Sequence, residues 1–308
     1  MLDLAVIGPL SKDSNIDADG TTYPEVGGAV VYATAAASAL GYRVAAVTKM
    51  AASDVDLLSV FALPSSLVCW NLSAETTTIR NRYLSADRER RESVALAQCD
   101  PFTLADMPGE AVQLYQVAGS IFKDTPTELI LALAEKSPVA LDMQGLLRWR
   151  AADGSMVYRD FSDKREVLPR VRFLKVDTAE AEVLTGLSGD DRETRVEMAK
   201  RLAELGAAEV MLTNAAEVLV YAGADNAVHT CPLRPQGLSG RTGRGDTVFG
   251  AYICERLASP ISAALLMATA AVSLKMESPG PLACTRQDVE AYLAARYADV
   301  RDELGSVL

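Results

Sequence analysis

The stretch from Ser239 to Tyr252 carries the residues best suited to chemistry. It reads Ser-Gly-Arg-Thr-Gly-Arg-Gly-Asp-Thr-Val-Phe-Gly-Ala-Tyr, a glycine-rich turn that leads into an apolar helical segment, with Asp246 at the junction. Gly243 and Gly245 allow a tight turn, and the free N–H groups of the helix's first turn form a natural site for phosphate. Asp246 is then either a general base for phosphoryl transfer to a hydroxyl or a helix N-cap that accepts N–H bonds from the first turn. The stretch alone does not decide between the two.

Three stretches together resemble the motifs of the ribokinase-like (PfkB) carbohydrate kinases. Residues 239–252 resemble the family's second signature, usually Asp-Thr-Thr-Gly-Ala-Gly-Asp. Residues 27–41, which begin Gly-Gly-Ala-Val-Val-Tyr-Ala, look like the Gly-Gly turn and small-residue helix of the first signature. Residues 175–180, Lys-Val-Asp-Thr-Ala-Glu, are similar to the Asn-x-x-Glu element that the family links to magnesium and phosphate. Each motif is weak alone, but three in the family's order indicate a member of this family.

The resemblance implies a kinase that transfers the γ-phosphoryl group of ATP to a hydroxyl of a small polyol, sugar or nucleoside. Asp246 would be the base, and the N–H groups of Gly243, Arg244 and Gly245 would stabilise charge on the phosphoryl group. The same likeness assigns two further groups, the nucleotide-binding residues Thr213, Arg241 and Thr242, and the acids Asp177 and Glu180, which would hold Mg²⁺ through its waters. An N-cap and first-turn acid that only start a helix are the alternative for that acidic pair.

On the acceptor side, Asp13 stands where the family commonly has a carboxylate that binds substrate hydroxyls. Gly27 and Gly28 would let the backbone approach the acceptor. Gln144 and Arg148 follow a predicted buried strand, at the edge where open α/β sheets bind ligands. The stretch around them, Asp-Met-Gln-Gly-Leu-Leu-Arg, resembles the inositol-kinase-like branch, so inositol is the leading acceptor. The alternatives are that Asp13 is an exposed loop acid, that Gly27 and Gly28 form a turn that only starts a helix, and that Arg148 makes a surface ion pair at a polar loop end.

Several residues depart from the family pattern. Gly240 replaces an Asp, Arg241 a Thr and Arg244 an Ala, so two extra cations flank the anion site and either grip phosphate or pair with acids. Residues 213–217, Thr-Asn-Ala-Ala-Glu, replace a glycine-containing loop near the nucleotide, and Tyr32 replaces an Asn near the acceptor. A nucleoside kinase and a catalytically idle sugar- or nucleotide-binding regulatory homologue therefore remain alternatives. The retained glycines and aspartate favour an enzyme.

Short apolar runs alternate with helical patterns, which predicts βαβ units and a mostly parallel sheet in a three-layer α/β sandwich. The predicted strands are Leu4–Ile7, Val44–Thr48, Gln116–Ala118, Val139–Asp142, Phe173–Val176 and Val210–Thr213. The predicted helices are Ala29–Leu40, Thr127–Lys136, Ala179–Thr185, Thr194–Leu205, Gly245–Leu257, Pro260–Lys275 and Arg286–Ala294.

Two segments, 11–23 and 67–97, interrupt this pattern. Residues 76–84 alternate as a strand does, and the charged run from Asp87 to Glu92 then breaks the alternation, which suits a hairpin. The family resemblance makes both segments a small β-lid over the acceptor. A surface hairpin with a solvated, charged turn is the alternative.

Composition narrows the class of protein. With 308 residues, 49% of them hydrophobic, and no Ser/Gly/Pro-rich linker, the chain is expected to form a single kinase domain over 1–308. A net charge of -11 disfavours nucleic acid as a partner. Five scattered cysteines indicate reduced thiols and a cytoplasmic protein, and the N-terminus predicts a first strand rather than a signal peptide. No membrane span is expected, and a homodimer is left open.

Overall fold

A computed structural model describes residues 1–85 and 91–300. The strands are β1 (Leu2–Ile7), β2 (Ser11–Ile16), β3 (Thr22–Gly27), β4 (Val44–Met50), β5 (Val68–Leu72), β6 (Thr77–Tyr83), β7 (Arg91–Ala97), β8 (Val112–Val117), β9 (Val139–Asp142), β10 (Arg148–Arg150), β11 (Met156–Tyr158), β12 (Val171–Asp177), β13 (Glu209–Thr213), β14 (Glu217–Ala222) and β15 (Ala227–Pro232). The helices are α1 (Ala29–Ala39), α2 (Thr127–Ala134), α3 (Gln144–Leu147), α4 (Lys164–Val167), α5 (Thr178–Thr185), α6 (Arg192–Glu204), α7 (Arg244–Glu255), α8 (Ile261–Lys275) and α9 (Arg286–Arg296).

A nine-stranded sheet in the order β15-β14-β13-β12-β9-β8-β1-β4-β5 forms the centre of the molecule. Its strands from β13 to β5 are parallel, and β14 and β15 extend one edge as an antiparallel pair. One face of the sheet packs on α1, α7 and α8, and the other packs on α2, α5 and α6. The expected three-layer sandwich with a mostly parallel sheet is thus confirmed. Its parallel strands end at one edge, where such folds bind ligands.

A second, four-stranded sheet has the order β3-β2-β6-β7 and is here called the lid, because it lies where the sequence predicted one. β2 pairs with β3 and β6 with β7 in the antiparallel sense, while β2 and β6 run parallel, so both predicted segments contribute strands to it. The predicted second segment begins too early. Its first part, β5, pairs with β4 in the main sheet because Val68 and Cys69 cover opposite faces of that sheet. The predicted charged turn lies partly in residues 86–90, outside the described residues.

The predicted elements all appear, with shifted ends. Strand Val139–Asp142 has the predicted bounds, and β4 extends beyond its predicted C-terminal end to Met50. The other predicted strands begin earlier than predicted, β8 also ends one residue earlier, and β12 also ends one residue later. The predicted hairpin corresponds to β6 and β7, while the other short lid and edge strands, including β14 and β15, carry weaker patterns and were not individually predicted. The five cysteines are free thiols. Within residues 1–85 and 91–300, no helix is long and apolar enough to cross a membrane.

Candidate active site

A glycine turn precedes α7 and sets the geometry of the site. Residues 240–243, here called the anion loop, end at Gly243, which caps the helix with a φ of 73° in the left-handed region. A Cβ at this position would lie 2.1 Å from the Tyr32 ring, so both the conformation and the contact require glycine. Asp246 is the third residue of α7. The first helical turn therefore presents its N–H groups beside this carboxylate, as the sequence predicted.

Lys275, the last residue of α8, supports the anion loop. Its ammonium donates to the carbonyl oxygen of Gly240 at 2.6 Å and to that of Thr242. It also lies 5.1 Å from the centre of the Tyr32 ring. Burial lowers the pKa of Lys275 to about 8. Lys275 was not predicted from the sequence, although a lone cation at the end of an otherwise apolar helix was a usable signal.

The loop's departure from the family pattern at Gly240 has a steric cause. A Cβ there would lie 1.8 Å from the carbonyl oxygen of Ser278 and 2.8 Å from that of Lys275. The backbone leaves no room for the usual aspartate. Arg241 and Arg244, the other departures, are half-buried on either side of Thr242 and Gly243. Their roles stay predictions.

The carboxyl group of Asp246 has a raised pKa. Burial raises its pKa to about 6, and the nearby Lys175 ammonium opposes that rise. Lys175 is itself buried and donates to both carboxylate oxygens of Asp142, at 3.1 and 2.9 Å. A Cβ on Gly245 would lie 3.3 Å from the Lys175 Nζ, so this cation sits directly against the first turn of α7. The Lys175–Asp142 pair was not predicted, although each residue is a charged side chain that follows a run of apolar residues in a buried strand.

Asp177 and Glu180 form a capping box at the start of α5. The Glu180 N–H donates to Asp177 at 2.8 Å, and the Asp177 N–H donates to Glu180 at 2.8 Å. Burial, and then the charge of Asp177, raise the pKa of Glu180. The other Glu180 oxygen, Oε1, is buried and has no hydrogen-bond partner among the described residues. The pair thus starts the helix and still leaves one carboxylate oxygen for a further ligand.

The same residues fit a hydrated magnesium ion better than a directly bound one. Over residues 1–85 and 91–300, no group of three or more His, Cys, Asp or Glu side chains could hold a metal. Mg²⁺ usually keeps several waters, and the spare Glu180 oxygen could accept a hydrogen bond from one of them. Thr213 ends β13 in register with Asp177 of β12, so it lies at the same sheet edge.

The acceptor residues predicted in the lid come together at its base. Gly27, which ends β3, pairs with Ser11 of β2, and a Cβ on Gly27 would lie 3.9 Å from Asp13 Oδ2. Burial raises the pKa of Asp13, and its Oδ1 is buried without a hydrogen-bond partner in the described part of the chain. Gly28, with a φ of 106°, caps α1, and a Cβ there would meet the carbonyl oxygen of Pro9 at 2.3 Å.

Arg148 lies close enough to Asp13, a predicted acceptor residue, and to Glu180, a predicted metal residue, to feel the charge of both. It is buried at the start of β10, where desolvation and the charge of Arg91 lower its pKa while Glu180 and Asp13 oppose that change. A surface ion pair, the alternative considered for Arg148, is therefore excluded. Gln144 begins α3 and is partly exposed, and its N–H donates to Asp142 at 3.1 Å.

A chain of side-chain hydrogen bonds crosses the lid and was not predicted. The Tyr32 hydroxyl donates to Glu25 at 2.9 Å, and Asn15 donates to the other Glu25 oxygen at 2.8 Å. Asn81 donates to Asn15 at 3.1 Å, and Ser93 donates to Asn81 at 2.7 Å. These five residues, the lid relay, join α1 to strands β3, β2, β6 and β7. The sequence feature that could have indicated this relay is the presence of polar residues at inward-facing strand positions, where apolar side chains are usual.

Comparison with known proteins agrees with this architecture. A family model described as pfkB family carbohydrate kinase matches residues 69–288. A search of curated protein sequences found no match. Among solved structures, a pyrophosphate-dependent kinase of the ribokinase family, complexed with a pyrophosphate analogue and myo-inositol, is 32% identical with a TM-score of 0.81. The match covers 94% of this chain and 99% of that one.

Two further structures extend the comparison. One is a pyrophosphate-dependent myo-inositol-1 kinase converted into a myo-inositol-3 kinase by one Asn-to-Leu and one Ser-to-Leu substitution; it is 30% identical, with a TM-score of 0.81 over 96% of this chain and 99% of that chain. The other is the ribokinase of Arabidopsis thaliana complexed with ribose and ATP, 15% identical with a TM-score of 0.74 over 95% and 98% of the two chains. At that identity the likeness concerns the fold alone.

Proposed function

Because this chain belongs to the pfkB family of carbohydrate kinases, we propose that it transfers a phosphoryl group from inorganic pyrophosphate to a hydroxyl of myo-inositol or a closely similar cyclic polyol. The observation that carries the proposal is Asp246 at the N-terminus of α7, next to the anion loop and close enough to Tyr32 to act on its hydroxyl electrostatically. Asp13, on the acceptor side, acts on the same hydroxyl. Tyr32 therefore lies near both the donor and the acceptor groups.

Asp246 would accept the proton of the attacking hydroxyl. A pKa of about 6 leaves this carboxylate mostly ionised at neutral pH and more basic than an ordinary aspartate. The N–H groups of Gly243, Arg244 and Gly245 and the dipole of α7 would stabilise charge on the phosphoryl group. Lys175 would add a fixed positive charge behind Gly245. A bound magnesium ion would screen the charge of the donor, with Glu180 holding one of its waters.

Three features favour pyrophosphate over ATP as the donor. Pyrophosphate offers no nucleoside, so its binding must come from phosphate contacts, and Arg241, Arg244 and Lys175 enrich this site in cations. The family resemblance places the turn after Thr213 near a nucleotide. In this chain the Asn214 side chain closes that turn by accepting hydrogen bonds from the N–H groups of Ala216 and Glu217, both at 2.9 Å. The relatives at 30% identity or more that are described above are pyrophosphate-dependent.

The lid supports a polyol as the acceptor. Asp13, Asn81 and Ser93 supply acceptors and donors that match a ring bearing many hydroxyls. The Asp13 Oδ1 atom is buried with no partner among the described residues, which a substrate hydroxyl would satisfy. The Asn81–Ser93 pair also provides the two residue types that were exchanged for leucine in the relative whose product changed. We therefore expect this pair to select the hydroxyl that is phosphorylated.

A donor-by-acceptor screen tests the proposal. Phosphate or ADP release would be measured for pyrophosphate and ATP, each with myo-inositol, ribose, a nucleoside and no acceptor. We expect turnover with pyrophosphate and myo-inositol, and its loss in Asp246→Asn. Turnover with ATP alone would reject the donor, turnover with a nucleoside alone would reject the acceptor, and inactivity with every pair would favour a regulatory homologue.

A further inference from the structure

We infer that Lys275 is a positioning residue for phosphoryl transfer, because its ammonium fixes the anion loop from behind so that the loop's N–H groups point toward the donor. The inference rests on the proposed function and deepens it. No sequence motif pointed to Lys275, and it lies 30 residues or more after the anion loop in the chain. It reaches the loop only because α8 ends beside it.

Peptide geometry converts the two Lys275 contacts into a direction for the loop. In a trans peptide the C=O and the following N–H point in opposite directions. The Thr242 carbonyl is held on Lys275, so the N–H of Gly243 must point away from it, and the Gly240 carbonyl fixes the N–H of Arg241 in the same way. A cation on the carbonyl side also polarises each peptide group and strengthens its N–H as a donor.

The environment of Lys275 is built to hold this cation in one place. Its side chain is 2% exposed, and the face of the Tyr32 ring covers the ammonium. The charges that act on it are those of Glu25 and Asp246, which favour the ammonium, and of Arg244, which disfavours it. Among the described residues, no carboxylate forms an ion pair with Lys275, so the hydrogen-bond partners of its ammonium are the two loop carbonyls. Burying an ammonium without a carboxylate partner carries a desolvation cost, which is consistent with a role for Lys275 in fixing the loop carbonyls.

A merely structural lysine would behave differently, and the chain supplies one for comparison. Lys49 is also buried, donates to a carbonyl, that of Pro101 at 2.8 Å, and lies 5.5 Å from the centre of the Phe102 ring. It further pairs with Asp106 at 2.9 Å. Its carbonyl partner is not part of the anion loop. Loss of Lys49 should therefore cost stability without changing how an anion is bound.

The test combines binding and turnover. Lys275→Met keeps the volume and removes the charge, and Lys275→Ala leaves space for propylammonium, which has the same atoms as the missing part of the side chain. Calorimetry would measure binding of methylenediphosphonate, a stable pyrophosphate analogue, and steady-state assays would measure kcat and KM with pyrophosphate and myo-inositol. Lys49→Met and Lys49→Ala are the matched controls, and neutral propanol is the control for propylammonium.

We expect Lys275→Met to bind methylenediphosphonate about tenfold more weakly and to lose about 10–100-fold in kcat, with the KM for myo-inositol nearly unchanged, because misdirected N–H donors weaken charge stabilisation. Propylammonium should restore both properties to Lys275→Ala, and propanol should not. Wild-type binding and kcat in Lys275→Met, an equal loss in Lys49→Met, or equal rescue by propanol would each overturn the inference.

The outcome for the wild-type protein separates the two proposals. If it binds methylenediphosphonate but turns over no donor and acceptor pair, the proposed function fails and Lys275 is judged on binding alone. If it binds no methylenediphosphonate, the anion loop is not a phosphate site and both fail.

Discussion

Replacing Asp246 with asparagine should make the protein less active and more stable. The folded protein holds the Asp246 proton to a higher pH than the unfolded chain does, because burial raises the pKa of this group from its ordinary 3.8 to about 6. The carboxylate therefore lowers the free energy of unfolding as pH rises through this interval, and the full cost is present above pH 6. Asparagine removes the charge and nearly keeps the shape.

The pKa sets the size and the pH dependence of the stability gain. A rise to about 6 corresponds to a gain of at most about 3 kcal/mol at pH 7.5, and of about half as much at pH 5, where the native carboxyl is largely protonated. The true gain is smaller, since part of the side chain contacts water. Turnover should fall by at least ~10²-fold, because an amide cannot accept the hydroxyl proton.

Urea unfolding at pH 7.5 and pH 5 measures the gain without any knowledge of the substrate. The matched control is Asp288→Asn, because Asp288 occupies the same third helical position in α9 and accepts hydrogen bonds from Thr285 that hold its pKa below the ordinary value. That variant should lose stability at pH 7.5. If Asp246→Asn also loses stability, or gains the same amount at both pH values, Asp246 stabilises the first turn of α7 and is not a base whose charged form is disfavoured by burial.

Three further predictions follow from the site. The pH profile of kcat/KM should rise with an apparent pKa near 6 as Asp246 loses its proton, and a flat profile from pH 5 to 8 would contradict this. Hydrogen exchange in β6 (Thr77–Tyr83) and β7 (Arg91–Ala97) should slow when myo-inositol is added, while β5 (Val68–Leu72), part of the main sheet, should not respond. Gly240→Ala should lose about 2 kcal/mol or more of unfolding free energy in thermal or urea melts, because its Cβ meets rigid backbone at 1.8 Å; unchanged stability would show that the loop can shift.

Much of the fold was predictable because long periodic segments carry a strong signal. The helices that flank the sheet and the buried parallel strands were found from apolar runs of the expected length. The edge strands β14 and β15 and the lid strands β2 and β3 were not, since each is short and carries a weaker pattern, whereas the predicted hairpin corresponds to β6 and β7. β5 was assigned to the lid. Its pairing with β4 depends on contacts on both faces, which a local pattern does not contain.

The parts of the site formed by residues close together in the chain could be predicted, whereas the parts that the fold brings together from distant segments could not. Gly243, Gly245 and Asp246 are neighbours in the chain, so their joint role could be proposed from spacing alone. Lys275 contacts the anion loop and Lys175 lies against the first turn of α7, each from a different element, and their local sequence does not indicate these partners. The roles of Arg241 and Arg244 stay predictions.

The lid relay has an evolutionary consequence. Tyr32 contacts the anion loop through its ring and the lid through its hydroxyl, so one side chain belongs both to the proposed phosphate site and to the proposed acceptor site. Substitutions at Asn81 or Ser93 that favour a new acceptor should therefore alter the effect of later substitutions at Tyr32, a dependence that distant, independent sites would not have. During evolution toward a new acceptor, the lid and the anion loop should therefore not change independently. The effect of each substitution should depend on which substitutions came before it.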